Sequence, residues 1–207
     1  MSSLPIQALL VDVGGVLLTN GWDRASRKAA ATTFAFDYAD MDERHHLTYD
    51  TFEVGKISLD TYLDRIVFFE DRGFTKDQFK SFMFAQSRPF PDMIDYCKAL
   101  KSAHGLKLGV ISNEAKELTE YRIQKFELGS FVDFFVSSCF VHLRKPDEDI
   151  YKLALDLVGV KPANCAYVDD RPLFVEVAHK LGMKSIHHKN IETTRQALEK
   201  LGLSLKK

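Results

Sequence analysis

The stretch Ala8-Leu9-Leu10-Val11-Asp12-Val13-Gly14-Gly15-Val16-Leu17-Leu18 constrains this chain more than any other. An apolar run leads straight into one carboxylate, and a glycine pair follows. The run is too short for a core helix and is bounded by glycine, so it reads as a buried strand whose last residue is Asp12. An acid at the end of a buried strand is costly unless something pairs with it. In an open α/β sheet, ligands bind outside the carboxyl ends of the strands. Asp12 is therefore a candidate functional acid. The competing reading is a turn-forming Asp ahead of glycine.

Beyond Leu18 the strand signal stops until about residue 87. Residues 25–36, 41–52, 59–70 and 75–86 read as helices, with Ser58 and Thr75 as caps of two of them and Asn20 or Asp23 as the cap of the first. The phenylalanines at 68, 69, 74, 79, 82 and 84 recur at spacings that suit packed helical faces. Pro89 and Pro91 end this helical insert, and a helix over 92–103 follows. Strands at 108–111, 131–137, 165–168 and 184–187 then alternate with helices at 113–126, 147–158, 172–181 and 193–201. Strands separated by helices imply a parallel sheet covered on both faces. The expected fold class is α/β, a doubly wound parallel sheet built from residues 1–18 and 89–207, with residues 19–88 inserted after the first strand.

Right-handed crossovers put all strand C-termini on one edge. Asp12, Ser112-Asn113 and Asp169-Asp170 then share a crevice, and Lys145 in Leu143-Arg144-Lys145-Pro146 stands within reach of it. Clustered carboxylates repel unless a cation lies among them. An all-oxygen ligand set suits Mg²⁺ with a phosphate-bearing partner. A hydroxyl, free backbone N–H groups and an ammonium orient a phosphoryl group and neutralise its charge. These pieces describe phosphoryl transfer better than hydride or acyl transfer. Each residue also has a plainer reading: Ser112-Asn113 and Asp169-Asp170 as helix caps, and Lys145 as a solvated loop lysine.

Lys plus Arg number 28 and Asp plus Glu 29, which argues against nucleic acid as the main partner. Cys97, Cys139 and Cys165 have no recurring spacing and read as buried free thiols. Cys139 and His142 have the spacing of half a zinc site, but no second pair accompanies them. The N-terminus from Met1 to Pro5 does not have the pattern of a secretory signal, and no apolar run reaches the length of a membrane span. The expectation is a cytoplasmic protein of unknown oligomeric state.

At these residues the sequence resembles the haloacid dehalogenase-like (HAD) hydrolase superfamily, in its subgroup with a small helical cap after the first strand. The four superfamily motifs have counterparts in order: Val11-Asp12-Val13-Gly14-Gly15-Val16, Val110-Ile111-Ser112-Asn113, Lys145-Pro146 and Tyr167-Val168-Asp169-Asp170. The resemblance spans the whole chain, including the position and size of the cap at 19–88. It implies a Rossmann-like core and a phosphatase in which Asp12 is the nucleophile and forms an aspartyl-phosphate. Mg²⁺ would be held by Asp12, the Gly14 carbonyl and Asp170, with Asp169 holding a metal-bound water. Ser112 and the N–H of Asn113 would grip the phosphoryl oxygens, and Lys145 would neutralise charge on Asp12 and the phosphoryl group. The substrate would be a small phosphorylated metabolite.

One position departs from the pattern. Phosphatases of this superfamily usually carry a second Asp two residues after the nucleophile, as proton donor and base, and Gly14 stands there. That work is worth ~10²–10⁴-fold. Asp23, His45, His46 and Glu53 of the cap are candidate substitutes, although His45 and His46 read first as exposed polar residues on a cap helix. Arg24 reads either as a contact for a substrate anion or as a surface ion-pair partner. Two alternatives to the phosphatase are a metal-independent 2-haloacid dehalogenase and a phosphometabolite- or partner-binding protein on the same scaffold.

Overall fold

Each strand of this chain carries a short apolar stretch that needs covering on both sides, and the fold supplies it. In the computed structural model, which describes residues 5–205, β1 (Ala8–Val11), β2 (Lys107–Ser112), β3 (Phe134–Ser137), β4 (Cys165–Asp169) and β5 (Lys184–His187) form one sheet in the order β3-β2-β1-β4-β5. All four pairings are parallel. The N-terminal stretch Met1 to Leu4, read above as no secretory signal, lies outside the described residues.

The strand period of two sorts β1 between two cores. Leu9 and Val11 face a cluster with Met93, Cys97 and Leu100 of α5 (Pro91–His104) and Leu198 of α10 (Ile191–Lys200). Ala8 and Leu10 face the opposite cluster, with Ile150, Tyr151 and Ala154 of α8 (Glu148–Val158) and Ala178 of α9 (Pro172–Lys180). This is the doubly wound architecture expected from the sequence. Successive connections leave β1 toward β2 on one side and reach β4 on the other, so the crevice at the topological switch lies between β1 and β4. Cys97, Cys139 and Cys165 are buried and unpaired, as expected. Among the described residues no helix is long and apolar enough to cross a membrane.

Between β1 and α5 lie α1 (Arg24–Phe34), α2 (Tyr38–Glu53), α3 (Leu59–Ile66) and α4 (Lys76–Ala85). Asp23, Ser58 and Thr75 cap α1, α3 and α4 through their side chains. Phe34, Phe74 and Phe79 pack together inside this bundle, with the Phe34 ring tilted against the other two at centroid distances of 4.4 and 5.2 Å. The aromatic spacing is thus a packing signal. The bundle core also takes in Ala115 and Leu118, which lie on the sheet side at the start of α6 (Lys116–Lys125).

Several boundaries differ from the sequence expectation, each for a local reason. The ladder of β1 closes at Val11, but the Asp12 N–H still donates to the Val168 carbonyl at 2.9 Å. The helix expected from 113 begins at Lys116, because residues 113–115 are held in a loop. There the Asn113 amide bonds the Lys145 backbone, and the Glu114 N–H donates to Ser138 Oγ at 2.9 Å. The strand expected from 131 begins at Phe134, after a single helical turn at Leu128–Ser130. A four-residue helix, α7 (Ser138–Val141), was not anticipated. Its Ser138 hydroxyl donates to the Glu53 carbonyl at 2.7 Å, and the His142 Nδ1–H just beyond it donates to the Val54 carbonyl at 2.7 Å. That bond employs His142 in docking the end of α2.

His45 is buried, against the expectation of an exposed cap residue, whereas His46 is exposed as expected. Trp22 Nε1 donates to Tyr62 Oη at 2.9 Å, so the Tyr62 hydroxyl donates onward to His45 Nδ1 at 2.6 Å. The ring is held neutral: burial, then Arg27 and His46, push its pKa down to about 3. The unfolded chain takes up this proton below about pH 6.5 and the folded chain does not, so this contribution to stability is lost as pH falls from about 6.5 toward 3. Replacing His45 by Gln is expected to flatten that slope, which can reach about 1.4 kcal/mol per pH unit. Urea midpoints of both proteins between pH 7 and 5 check it, and parallel pH trends count against it.

Candidate active site

The sheet delivers the acids to one edge. Asp12 follows β1, Asp169 closes β4, the strand beside it, and Asp170 follows β4. One carboxylate oxygen from each of the three lies within 4.8 Å of the others. Gly15 makes this approach possible. Its φ is +74°, and a side chain there would collide with the Asp170 carboxylate.

Lys145 enters from the segment before α8, and its ammonium is wholly buried. Nζ lies 2.7 Å from Asp169 Oδ2 and 3.2 Å from Asp12 Oδ2, and it donates to the Ile111 carbonyl at 3.0 Å. Burial alone would push its pKa down, but Asp12 and Asp169 outweigh that and raise it. The solvated-loop reading of Lys145 is therefore overturned. Asn113 fixes the backbone that carries it: the Asn113 side chain donates to the Lys145 carbonyl and accepts from the Lys145 N–H, both at 2.8 Å. The Asn113 side chain thus aims the lysine, a task the sequence did not suggest. Ser112 is buried at the end of β2, with its side chain on the Asp12 side, where it opposes in small part the rise of the Asp12 pKa.

The helix-cap readings of these residues fall too. Ala115 stands at the cap of α6 and Arg171 at that of α9, neither with a capping side chain. Asp169 instead accepts from the Arg171 N–H at 2.8 Å through Oδ1, while Oδ2 takes Lys145 and the Tyr167 hydroxyl. The role of Tyr167 was legible in principle, since two residues apart on a strand puts it on the same face as Asp169.

Asp12 is 7% exposed. Burial, with Asp169 and Asp170 adding to it against Lys145, pushes its pKa up to about 7. A buried carboxyl this unwilling to ionise, beside two more acids, is an environment a hard cation would relieve. Asp170 Oδ1 is buried with no hydrogen-bond partner among the described residues, whereas both Asp169 oxygens are engaged. The donor set therefore fits Mg²⁺ through Asp12 and Asp170. The cluster of Asp12, Asp169 and Asp170 is the group of His, Cys and acidic side chains among the described residues arranged to hold a metal, and the Cys139–His142 pair is not part of it.

These residues open into a cleft of about 570 Å³ between the sheet edge and the bundle. Trp22, Phe52 and Met83 give it an apolar wall. Asn20, Glu114 and Arg144 also line it, and none of them was singled out for function from the sequence. Glu53 lies in the wall with Oε1 accepting from Tyr49 and Oε2 2.8 Å from Arg144 Nη2. Arg24 is exposed at the margin, and Asp23 is occupied in capping α1.

Among solved structures, the chain is similar to a HAD family enzyme from Bacteroides thetaiotaomicron, crystallised with magnesium and inorganic phosphate. The TM-score is 0.75 at 20% identity, covering 89% of this chain and 94% of that one. It is 26% identical over 167 residues to flavin mononucleotide hydrolase 1 of Arabidopsis thaliana, covering 80% of this chain and 66% of the relative. It is 28% identical over 126 residues to (S)-2-haloacid dehalogenase 4A of Burkholderia cepacia, covering 61% of this chain and 54% of that protein. The matched stretches thus span less than two thirds of the length of these two relatives. The haloacid dehalogenase-like hydrolase family itself matches residues 6–182, and the chain belongs to that family.

Proposed function

We propose that this chain is a Mg²⁺-dependent phosphatase that acts on a small phosphorylated metabolite through an aspartyl-phosphate on Asp12. The observation that carries this reading is the pair of acids at the end of β4, one with a free buried oxygen and the other gripping the lysine that faces Asp12. A dehalogenase of this scaffold attacks carbon without a metal and has no need of Asp170 as a ligand. The names of the relatives leave both chemistries open, since one is a flavin mononucleotide hydrolase and another a haloacid dehalogenase.

In this reading Asp12, the Gly14 carbonyl and Asp170 would hold the ion, which would supply charge neutralisation for the phosphoryl oxygens. Asp12 attacks phosphorus through one carboxylate oxygen. Ser112 Oγ–H and the Asn113 N–H orient the phosphoryl group, and Lys145 offsets its charge and that of Asp12. Asp169 holds Lys145 in place and, beside the ligands, would help to orient what the ion binds. Residues 19–88 form the cap whose walls enclose the leaving group and keep bulk water out.

The test is phosphate release from sugar phosphates, nucleotides and an aryl phosphate, with Mg²⁺ and with chelator. Release that requires both Mg²⁺ and Asp12 is expected. Halide release from 2-haloacids that persists in chelator would instead establish the dehalogenase.

A further inference from the structure

The side chain absent at Gly14 leaves a space, and the fold fills it with an amide. A Cβ built on Gly14 lies 2.9 Å from Asn20 Oδ1, and Asn20 Nδ2 lies 3.5 Å from Asp170 Oδ2. Asn20 therefore stands beside the acid cluster where a side chain two residues after Asp12 would project. An amide orients a neighbour through hydrogen bonds but exchanges no proton at neutral pH.

The acids and histidines that the cap and the β2 loop bring to the cleft each have a partner away from Gly14. Asp23 accepts from the Ser26 N–H at 2.8 Å as the cap of α1. His45 Nδ1 takes the Tyr62 hydroxyl, and the ring stays neutral. The His46 side chain is 68% exposed at the margin and donates to the Asp42 carbonyl. Glu53 is held by Tyr49 and Arg144, and Glu114 Oε1 by Arg122 Nη1 at 2.8 Å. The atoms nearest a Cβ at Gly14 all belong to Asn20, so none of these groups stands where a side chain two residues after Asp12 would place a proton donor.

We propose that this site selects phosphoryl compounds whose leaving oxygen departs as a stable anion, such as aryl, enol or acyl phosphates and phosphoanhydrides, and discriminates against alkyl phosphates. The proposal rests on the phosphatase reading above and narrows its substrate class. In the first step an Asp12 oxygen bonds to phosphorus and the bond from phosphorus to the leaving oxygen breaks. The electron pair stays on that oxygen, which leaves as an anion without a proton from the protein. In the second step water attacks phosphorus, the bond to Asp12 breaks, the carboxylate is restored, and hydrogen phosphate and a proton pass to solvent. Phosphoryl transfer through a loose transition state asks little of a base on the attacking water. It asks much of the leaving group, and general acid catalysis of its departure is worth ~10²–10⁴-fold.

The experiment measures kcat/KM with Mg²⁺ for phenyl phosphates of graded phenol acidity and for glycerol phosphate. A steady fall with decreasing phenol acidity is expected, with glycerol phosphate ~10²–10⁴-fold below the best aryl ester. The double variant Gly14→Asp with Asn20→Gly, which makes room for the acid, is expected to raise the glycerol-to-aryl ratio. Glu114→Gln is expected to leave the slope as it is. Similar kcat/KM for aryl and alkyl esters in the unmodified enzyme overturns the proposal, as does a slope that steepens on Glu114→Gln, which would make Glu114 the donor. The slope of the unmodified enzyme decides the matter even if the double variant does not fold. Absence of Asp12-dependent release from every ester would instead bring down the phosphatase reading itself.

Discussion

Replacing Asp12 by Asn is expected to lower phosphate release by about 10⁴-fold or more, the scale of losing a covalent nucleophile. The same change is expected to stabilise the protein in chelator. Burial and the two neighbouring acids hold the Asp12 carboxyl near pKa 7 even with Lys145 beside it, against 3.8 ordinarily. The folded chain therefore keeps a proton that the unfolded chain has already lost. Stability from this group falls as pH rises from about 4 through about 7, and an amide has no such dependence. Thermal midpoints in chelator should diverge with pH, with the Asp12→Asn variant ahead by about 1–3 kcal/mol above pH 7. A variant that is inactive and also less stable at every pH would show that Asp12 contributes mainly by pairing with Lys145.

Much of this site was legible because it sits where strands end. The runs before Asp12 and Asp169 have the length and composition of buried strands, and a parallel sheet puts their ends on one edge. The bundle was legible through its capping residues and its aromatic spacing. What escaped was whatever depends on contacts between distant segments. Asn113 bonds Lys145 across 32 positions. Asn20 reaches Gly14 only because the first linker folds back on the turn after β1. His45 looked like a surface residue because its own helix is polar, and its burial comes from Tyr62 on the next helix and Trp22 ahead of the first. Arg122 is the clearest case. In Lys116–Lys125 it reads as one more charge on a polar helix, yet it is 1% exposed.

Arg122 joins the two linkers through which the chain enters and leaves the bundle, and its removal is the second large effect expected. Nη2 donates to the Thr19 carbonyl at 2.9 Å in the first linker, and Nε to Ser87 Oγ at 3.0 Å in the second. The linkers also bond each other, with the Thr19 N–H on the Arg88 carbonyl at 2.9 Å. Gly21, at φ +68°, lies so close to the guanidinium that a side chain there would strike it. The Arg122 charge is answered by Glu114, whose own pKa burial raises to about 7, with Arg122 opposing and Asp12 and Glu53 adding. Arg122→Met leaves that acid buried without its cation, which typically costs about 3–5 kcal/mol. Glu114 should then hold its proton more tightly still. The intact protein already keeps that proton up to about pH 7, so the destabilisation relative to it should grow as pH rises above about 7. Removing the acid as well, in Arg122→Met with Glu114→Leu, should recover part of the loss, because a buried pair replaced by apolar groups often costs little. Hydrogen exchange separates this clamp from general damage. The amides of Thr19 and Arg88 should lose protection in Arg122→Met before those of β1 and β4 do. Unchanged exchange at Thr19 and Arg88 would mean that the apolar contacts of the bundle with Ala115 and Leu118 hold it in place, and that Arg122 does no more than fill its site.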